Sequence, residues 1–203
     1  MKYNIISIAA KIEKHKKGMA GVYSYADLCN LIGLGSPLAT ARIIKRLVRD
    51  GLLFGVQKGI YTTAEFDTLR LAGRINPECY ISMDTVLARE GLVGTVPKYS
   101  FSAVQRQRSR IVETQAGTVR FYSLAEELFF GFMPDKNGVR IADPEKAFLD
   151  TLYFYTRGNK FVFDPLKEIA VRKLDQKKIN RYLKRYRNPK FVKFTRRVIG
   201  ENI

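Results

Sequence analysis

A chain of 203 residues with 46% hydrophobic content is long enough to bury one or two cores and too apolar for wholesale disorder. Its net charge of +17 points to a polyanionic partner, nucleic acid or an anionic membrane surface. No apolar run reaches the ~18 residues that span a bilayer; the lysine-rich opening reads as an amphipathic helix and not a signal peptide; and Cys29 and Cys79 are too few and too far apart for a disulfide framework, which fits reduced thiols in a cytoplasmic protein.

Periodicity predicts a first helix over residues 4–16, with Ile5, Ile8, Ala9 and Ile12 on one face and Gly18 and Gly21 as its stop. Residues 22–24 read as a short extended piece. A second helix follows over 25–32, capped by Ser24, with Ala26, Leu28, Cys29 and Ile32 turned inward. After the turn Gly33-Leu34-Gly35, Ser36 caps a third helix with Pro37 at its first position. Ile43, Ile44, Leu47 and Val48 recur at core-facing spacing, and Thr40 projects to the same buried side. Arg42, Arg46 and Arg49 gather opposite, with Leu38 and Ala39 near them and Lys45 at the border. Gly51 stands where a left-handed residue ends a helix. Residues 52–56 and 60–63 then form strands around the turn Gln57-Lys58-Gly59. Helix, strand, helix, turn, helix, hairpin is the winged-helix order, which makes the third helix a reader and the hairpin a basic-tipped wing. A merely solvated charged face is the competing account of the arginines; the hairpin, the helix before it and the global charge weigh against it.

Residues 65–77 read as a linker, which sets a DNA-binding domain at 1–73 and a C-terminal domain at 74–203. In the latter, 80–82 is extended and 84–89 helical, ending at Gly91. Strands are expected over 99–104, 110–114 and 118–122, the last two joined by Gln115-Ala116-Gly117. Two more, 128–133 and 139–142, flank Asp135-Lys136-Asn137-Gly138. Asp143 caps a helix with Pro144 at its first position and Glu145 in its first turn, running through Tyr153-Phe154-Tyr155 to Gly158. Three further helices are expected: one after Asp164-Pro165, one over 175–186 and one over 189–199. The fold class is α+β: an N-terminal winged helix-turn-helix domain followed by a mixed α/β C-terminal domain with antiparallel strands and C-terminal helices.

Catalytic chemistry finds little footing. The single histidine, His15, sits among lysines, and no Walker, dinucleotide-binding or nucleophile-elbow motif occurs. No cofactor, no metal and no catalytic residue is expected. Asp143, Glu145, Lys146 and Asp150 are close in sequence, but Glu145 and Lys146 are adjacent and not split as the Glu-x-Lys nuclease signature requires. Their spacing suits a helix cap, a first-turn acid and a Lys146–Asp150 ion pair at i,i+4. A partner-binding surface is the second reading of these four. The charge is uneven. Residues 1–73 carry 11 lysines and arginines against 5 acids, residues 74–157 carry 11 against 10, and residues 158–203 carry 14 against 4. Lys177, Lys178, Arg181, Lys184, Arg185, Arg187, Lys190, Lys193, Arg196 and Arg197 make the last stretch a candidate second nucleic-acid surface for DNA or RNA.

Two stretches together resemble the AbiEi family, the antitoxins of type IV abortive-infection toxin–antitoxin systems. One is RLVRDGLLFGVQKGIYTT, residues 46–63. The other is YISMDTVLAREGLVG, residues 80–94, continued by IADPEKAFLDTLYF, residues 141–154. The resemblance implies that the N-terminal domain binds inverted repeats in its own promoter and represses transcription. It implies that the C-terminal domain neutralises a nucleotidyltransferase-type toxin without a stable complex, and that the protein is not an enzyme. DNA contacts carry over onto Arg42, Lys45, Arg46, Arg49, Gln57 and Lys58, with Ser36 at the helix start; the family offers no defined site for Asp143, Glu145, Lys146 and Asp150. The expected function is therefore a DNA-binding autorepressor and phage-defence antitoxin. An RNA-binding or protein-interaction module acting through the basic C-terminal surface is the alternative.

Overall fold

The computed structural model describes residues 4–94, 100–115 and 117–201. The chain divides into two compact units: Met1–Ile75 with Glu113–Ala116, and Asn76–Val112 with Gly117–Ile203.

The first unit runs α1 (Ile5–Met19), β1 (Val22–Ser24), α2 (Tyr25–Ile32), α3 (Pro37–Arg49), β2 (Phe54–Gln57), β3 (Ile60–Thr62) and α4 (Thr68–Ile75). Its three strands pair antiparallel in the order β1-β3-β2. Three helices followed by a hairpin whose second strand pairs with β1 is the winged helix-turn-helix arrangement. Local chemistry sets the boundaries. The Asn4 side chain accepts from the N–H groups of Ile6 and Ser7, and Ser24 forms a reciprocal capping box with Asp27. At the end of α3, Leu52 N–H reaches Leu47 O at 2.9 Å and Gly51 N–H reaches Val48 O at 3.1 Å, a Schellman closure that Gly51 permits at φ 72°. Ile8, Ile12, Tyr23, Leu28, Ile32, Ile43, Ile44, Leu47 and Leu53 form the core. Tyr23 enters it with its hydroxyl donating to Ile12 O at 2.9 Å, so the phenol is buried without an unmade bond.

Four expectations are corrected. Helix α1 passes through Gly18 and ends at Ala20, itself left-handed at φ 53°. Ala26 is exposed and Cys29 only half-buried, and Val48 is exposed at the margin of the buried stripe. The stretch read as a linker holds α4, which buries Leu71, Ala72 and Ile75 and ties Arg74 to Asp27 at 3.1 Å. Gly73 and Pro77 disguise it, because a helix this short with an internal glycine gains its stability from packing and not from propensity.

The second unit holds β4 (Tyr80–Ile81), α5 (Met83–Arg89), β5 (Ser100–Gln105), β6 (Arg110–Thr114, whose last two residues are grouped with the first unit), β7 (Gly117–Ser123), β8 (Phe132–Pro134), β9 (Arg140–Ala142), α6 (Pro144–Tyr155), α7 (Gln176–Leu183) and α8 (Pro189–Glu201). The sheet order is β6-β7-β5-β4-β9-β8. It is mixed: β4 with β5 and β8 with β9 are antiparallel, whereas β5 with β7 and β4 with β9 are parallel. The expected β8–β9 hairpin forms around residues 135–138, with Asp135 Oδ1 accepting from Asn137 and Val139 N–H. Residues 128–131 are not a strand; Leu128 closes a 3-10 turn over Glu126–Leu128, and the strand begins at Phe132. Among the described residues no α-helix starts at Asp164-Pro165; the next is α7. Leu166 N–H bonds to Asp164 Oδ1 and Asp164 N–H to Glu168 Oε1, closing a local turn before the 3-10 piece Val171–Lys173. Tyr99 and Ala116, expected in a strand and a turn, lie outside the described residues.

Helix α6 is the centre of this unit. It buries nine of its residues, among them Ala147, Phe148, Leu149 and Leu152, the pattern of a helix enclosed on nearly all sides. Among the described residues no helix is long and apolar enough to cross a membrane.

Candidate nucleic-acid interface

The site begins with the start of α3. The Ser36 hydroxyl accepts from Ala39 N–H at 3.3 Å, and Pro37 gives up no usable donor at the first helical position. Buried Thr40 donates back to Ser36 O at 3.1 Å, as its inward projection predicts. With Ile43, Ile44 and Leu47 held in the core, the opposite face must turn to solvent, and Arg42, Lys45, Arg46 and Arg49 are all exposed. Asp50 pairs with Arg46 at 3.4 Å and Arg49 at 3.0 Å. Surface pairs of this kind stabilise by less than about 1 kcal/mol, so phosphate or a base edge can displace them. Among the described residues Arg42 and Lys45 form no ion pair. The wing is tighter than expected. Gln57 belongs to β2 and is half-buried, leaving a two-residue turn of Lys58 and Gly59, with Gly59 at φ 78° and a register shift between Gly55 and Gln57. Lys58 is exposed at the tip, and Tyr25 N–H anchors the turn through Gly59 O at 2.8 Å.

In the second unit the basic C-terminal helices are not a tail. Ile179, Leu183, Tyr186, Phe191, Thr195 and Val198 are buried, so α7 and α8 are walls of the fold with a charged outer side. Lys177, Arg181, Lys184, Arg185, Arg196 and Arg197 are exposed there. Arg185 lies over the Phe130 ring at 4.1 Å, which orients its guanidinium without neutralising it. Lys178 departs from the group: its ammonium sits 2.8 Å from Glu145 and 3.2 Å from Asp143, so it is a strut between α6 and α7. Burial alone would lower its pKa, but the hydrogen bonds to Glu145 and Asp143 raise it above the ordinary lysine value.

The four residues read as an alternative partner surface are mostly interior. Asp143 caps α6 through Lys146 N–H at 2.8 Å and accepts from the Tyr182 hydroxyl at 2.6 Å. Glu145 is buried and accepts from Asp175 N–H at 3.1 Å. Lys146 and Asp150 are both 0% exposed. They form the expected i,i+4 pair at 2.5 Å, and Asp150 also accepts from Tyr80 at 2.9 Å and Ser82 at 2.8 Å. The Lys146 ammonium lies 4.7 Å from the Phe130 ring centre and 3.4 Å from the Tyr186 hydroxyl. Burial pushes Lys146 down and Asp150 up, each opposed by the charge of the other. As a surface these four fail, because a partner cannot reach Lys146 or Asp150 in the folded protein. Among the described residues no group of three His, Cys, Asp or Glu side chains is placed to hold a metal ion.

Sequence spacing missed two features. The Asp150 partners Tyr80 and Ser82 lie 70 and 68 positions away, beyond any periodic pattern. A recess of about 600 Å³ gathers Arg110, Arg120 and Lys160 with Phe121 and Tyr122, three cations from separate elements that no local run advertises.

No family model and no curated protein matches the chain. Among solved structures it is similar to the RV2827C protein from Mycobacterium tuberculosis, at 14% identity and a TM-score of 0.61, over 96% of this chain and 78% of that one. A likeness at this identity establishes the fold and leaves the function to the site itself.

Proposed function

We propose that this protein is a DNA-binding transcriptional autorepressor whose α3 enters the major groove, and that it acts by binding and not by catalysis. The observation that carries the reading is the outward face of α3: Arg42, Lys45, Arg46 and Arg49 exposed together on the second helix of a helix-turn-helix, beside an exposed Lys58 on the wing. Arginines on that face can donate in pairs to guanine N7 and O6, while Lys58 supplies charge to phosphate or the minor groove. The resemblance to AbiEi antitoxins extends the proposal: inverted repeats in its own promoter as target, a cytoplasmic setting, and neutralisation of a nucleotidyltransferase-type toxin through the second unit. Burial of Lys146 and Asp150 removes them as its contact points, and the exposed cations of α7 and α8 are the better candidates.

The test is promoter binding by an Arg42→Ala/Arg46→Ala variant with its circular dichroism spectrum intact. Removing each arginine that reads a base should weaken binding by about 1–3 kcal/mol. Unchanged affinity in that double variant would remove α3 from the interface. The exposed outer side of α7 and α8 supports RNA as a second ligand; retention of structured RNA by the same double variant, with duplex DNA no longer bound, would favour it.

A further inference from the structure

Besides Val48 at the margin of its buried face, helix α3 carries an exposed apolar side chain at the N-terminal end of its cationic stripe. Leu38 is 63% exposed. Arg42, Lys45 and Arg49 follow it at four, seven and eleven positions, on the same side of the helix. The helix's inward apolar residues, Ile43, Ile44 and Leu47, already fill the core, so Leu38 has no packing role. A solitary exposed leucine is ordinary on a surface. Its place is not: it occupies the N-terminal end of the helix, the part of a recognition helix that meets base edges. Its neighbours offer little polar chemistry there, since Pro37 has no N–H and the Ser36 hydroxyl, accepting from Ala39 N–H at 3.3 Å, keeps its single O–H as the one donor. The major groove presents hydrogen-bonding groups at every base pair and one apolar group, the thymine 5-methyl. A leucine pressed against any other edge would strip a donor or acceptor of water and give nothing back.

The geometry points to Leu38 as a specificity-determining residue that selects a pyrimidine bearing a 5-methyl group, thymine in unmodified DNA, at one position of the target. This rests on the reading of α3 as a major-groove helix. Arg42, one turn further along the stripe, then holds the register on the flanking base or phosphate.

The experiment starts from a random-sequence duplex pool bound by the full chain. The recovered duplex is resynthesised with deoxyuridine replacing one thymine at a time, which deletes only the methyl group. At one position the replacement should weaken wild-type binding about fourfold, the value of one buried methyl-sized group. The Leu38→Ala protein, with an unchanged unfolding midpoint, should bind the thymine and deoxyuridine duplexes equally at that position. Equal wild-type binding at every replaced thymine, or a Leu38→Ala protein that keeps the wild-type ratio, would overturn the methyl contact alone. Failure to retain any duplex would overturn it together with the reading of α3.

Discussion

Asp143, Glu145 and Lys178 show how a charged residue can look functional and be structural. Burial draws the Glu145 carboxyl upward, but the hydrogen bonds from Lys178 and from Asp175 N–H outweigh it and hold its pKa below the ordinary value of 4.5. A carboxyl whose folded pKa is depressed adds stability above its unfolded pKa and loses it as pH falls through the folded value. Glu145→Gln should therefore destabilise the protein at neutral pH and flatten the fall in stability below about pH 4.5, read from urea midpoints across the acid range; parallel acid limbs in the two proteins would contradict the assignment. Lys146 and Asp150 are a more costly pair. Two ions with 0% exposure carry a desolvation penalty of several kcal/mol each, which only good geometry and further hydrogen bonds offset. Tyr80 and Ser82 supply those bonds, so the pair contributes a fixed arrangement of α6 against β4 more than net stability.

At the scale of elements, the backbone junctions are as demanding as the cores. Gly21 joins α1 to β1 at φ 70°, its N–H bonding to Lys16 O and its carbonyl accepting from Thr63 N–H. A Cβ there would lie 2.7 Å from Thr63 Oγ1 and 2.9 Å from Phe66 Cα, mostly against backbone that cannot yield. Gly33 is also left-handed, at φ 69°, but a Cβ there meets nothing within 4 Å. Gly33→Ala should cost only the conformational strain, about 1–2 kcal/mol. Gly21→Ala should add overpacking and reach about 2–4 kcal/mol. Equal denaturation midpoints for the two variants would show that Gly21 is not sterically confined. The elements themselves are legible in sequence where a residue type has one local job. Ser24, Ser36 and Asp143 as caps, Pro37 and Pro144 inside helix starts and Gly51 past a helix end all stand in those roles. Helix α4 and the turn after Pro165 escape such a reading because neither is decided by local preference: one is held by packing, the other by two short-range carboxylate bonds.

Over the whole molecule, the charge of +17 is arranged as faces and not as tails. The outer side of α7 and α8 is exposed and its inner side is core, so removing residues 175–203 would unfold the second unit and say nothing about binding. Charge-neutral substitution is the usable probe. If this face touches phosphate, glutamine at Arg181, Lys184, Arg196 and Arg197 should lower the slope of log affinity against log salt by up to about 3.6, near 0.9 for each phosphate no longer neutralised, and leave sequence preference intact. An unchanged slope would take this face out of the DNA footprint.

The sequence by itself determined the winged-helix order, the caps, the cationic face of α3 and the Lys146–Asp150 pairing, because each follows from spacing along one element. Only the tertiary structure decided that Asp150 draws on Tyr80 and Ser82, that Lys178 is a strut, and that Glu145, Lys146 and Asp150 are interior residues with Asp143 half-buried beside them. It also decided that β5 pairs with β7, and β4 with β9, in parallel. Those facts depend on which distant segments meet and how much water they exclude, and a hydrogen bond across 70 residues leaves no period in the chain to read.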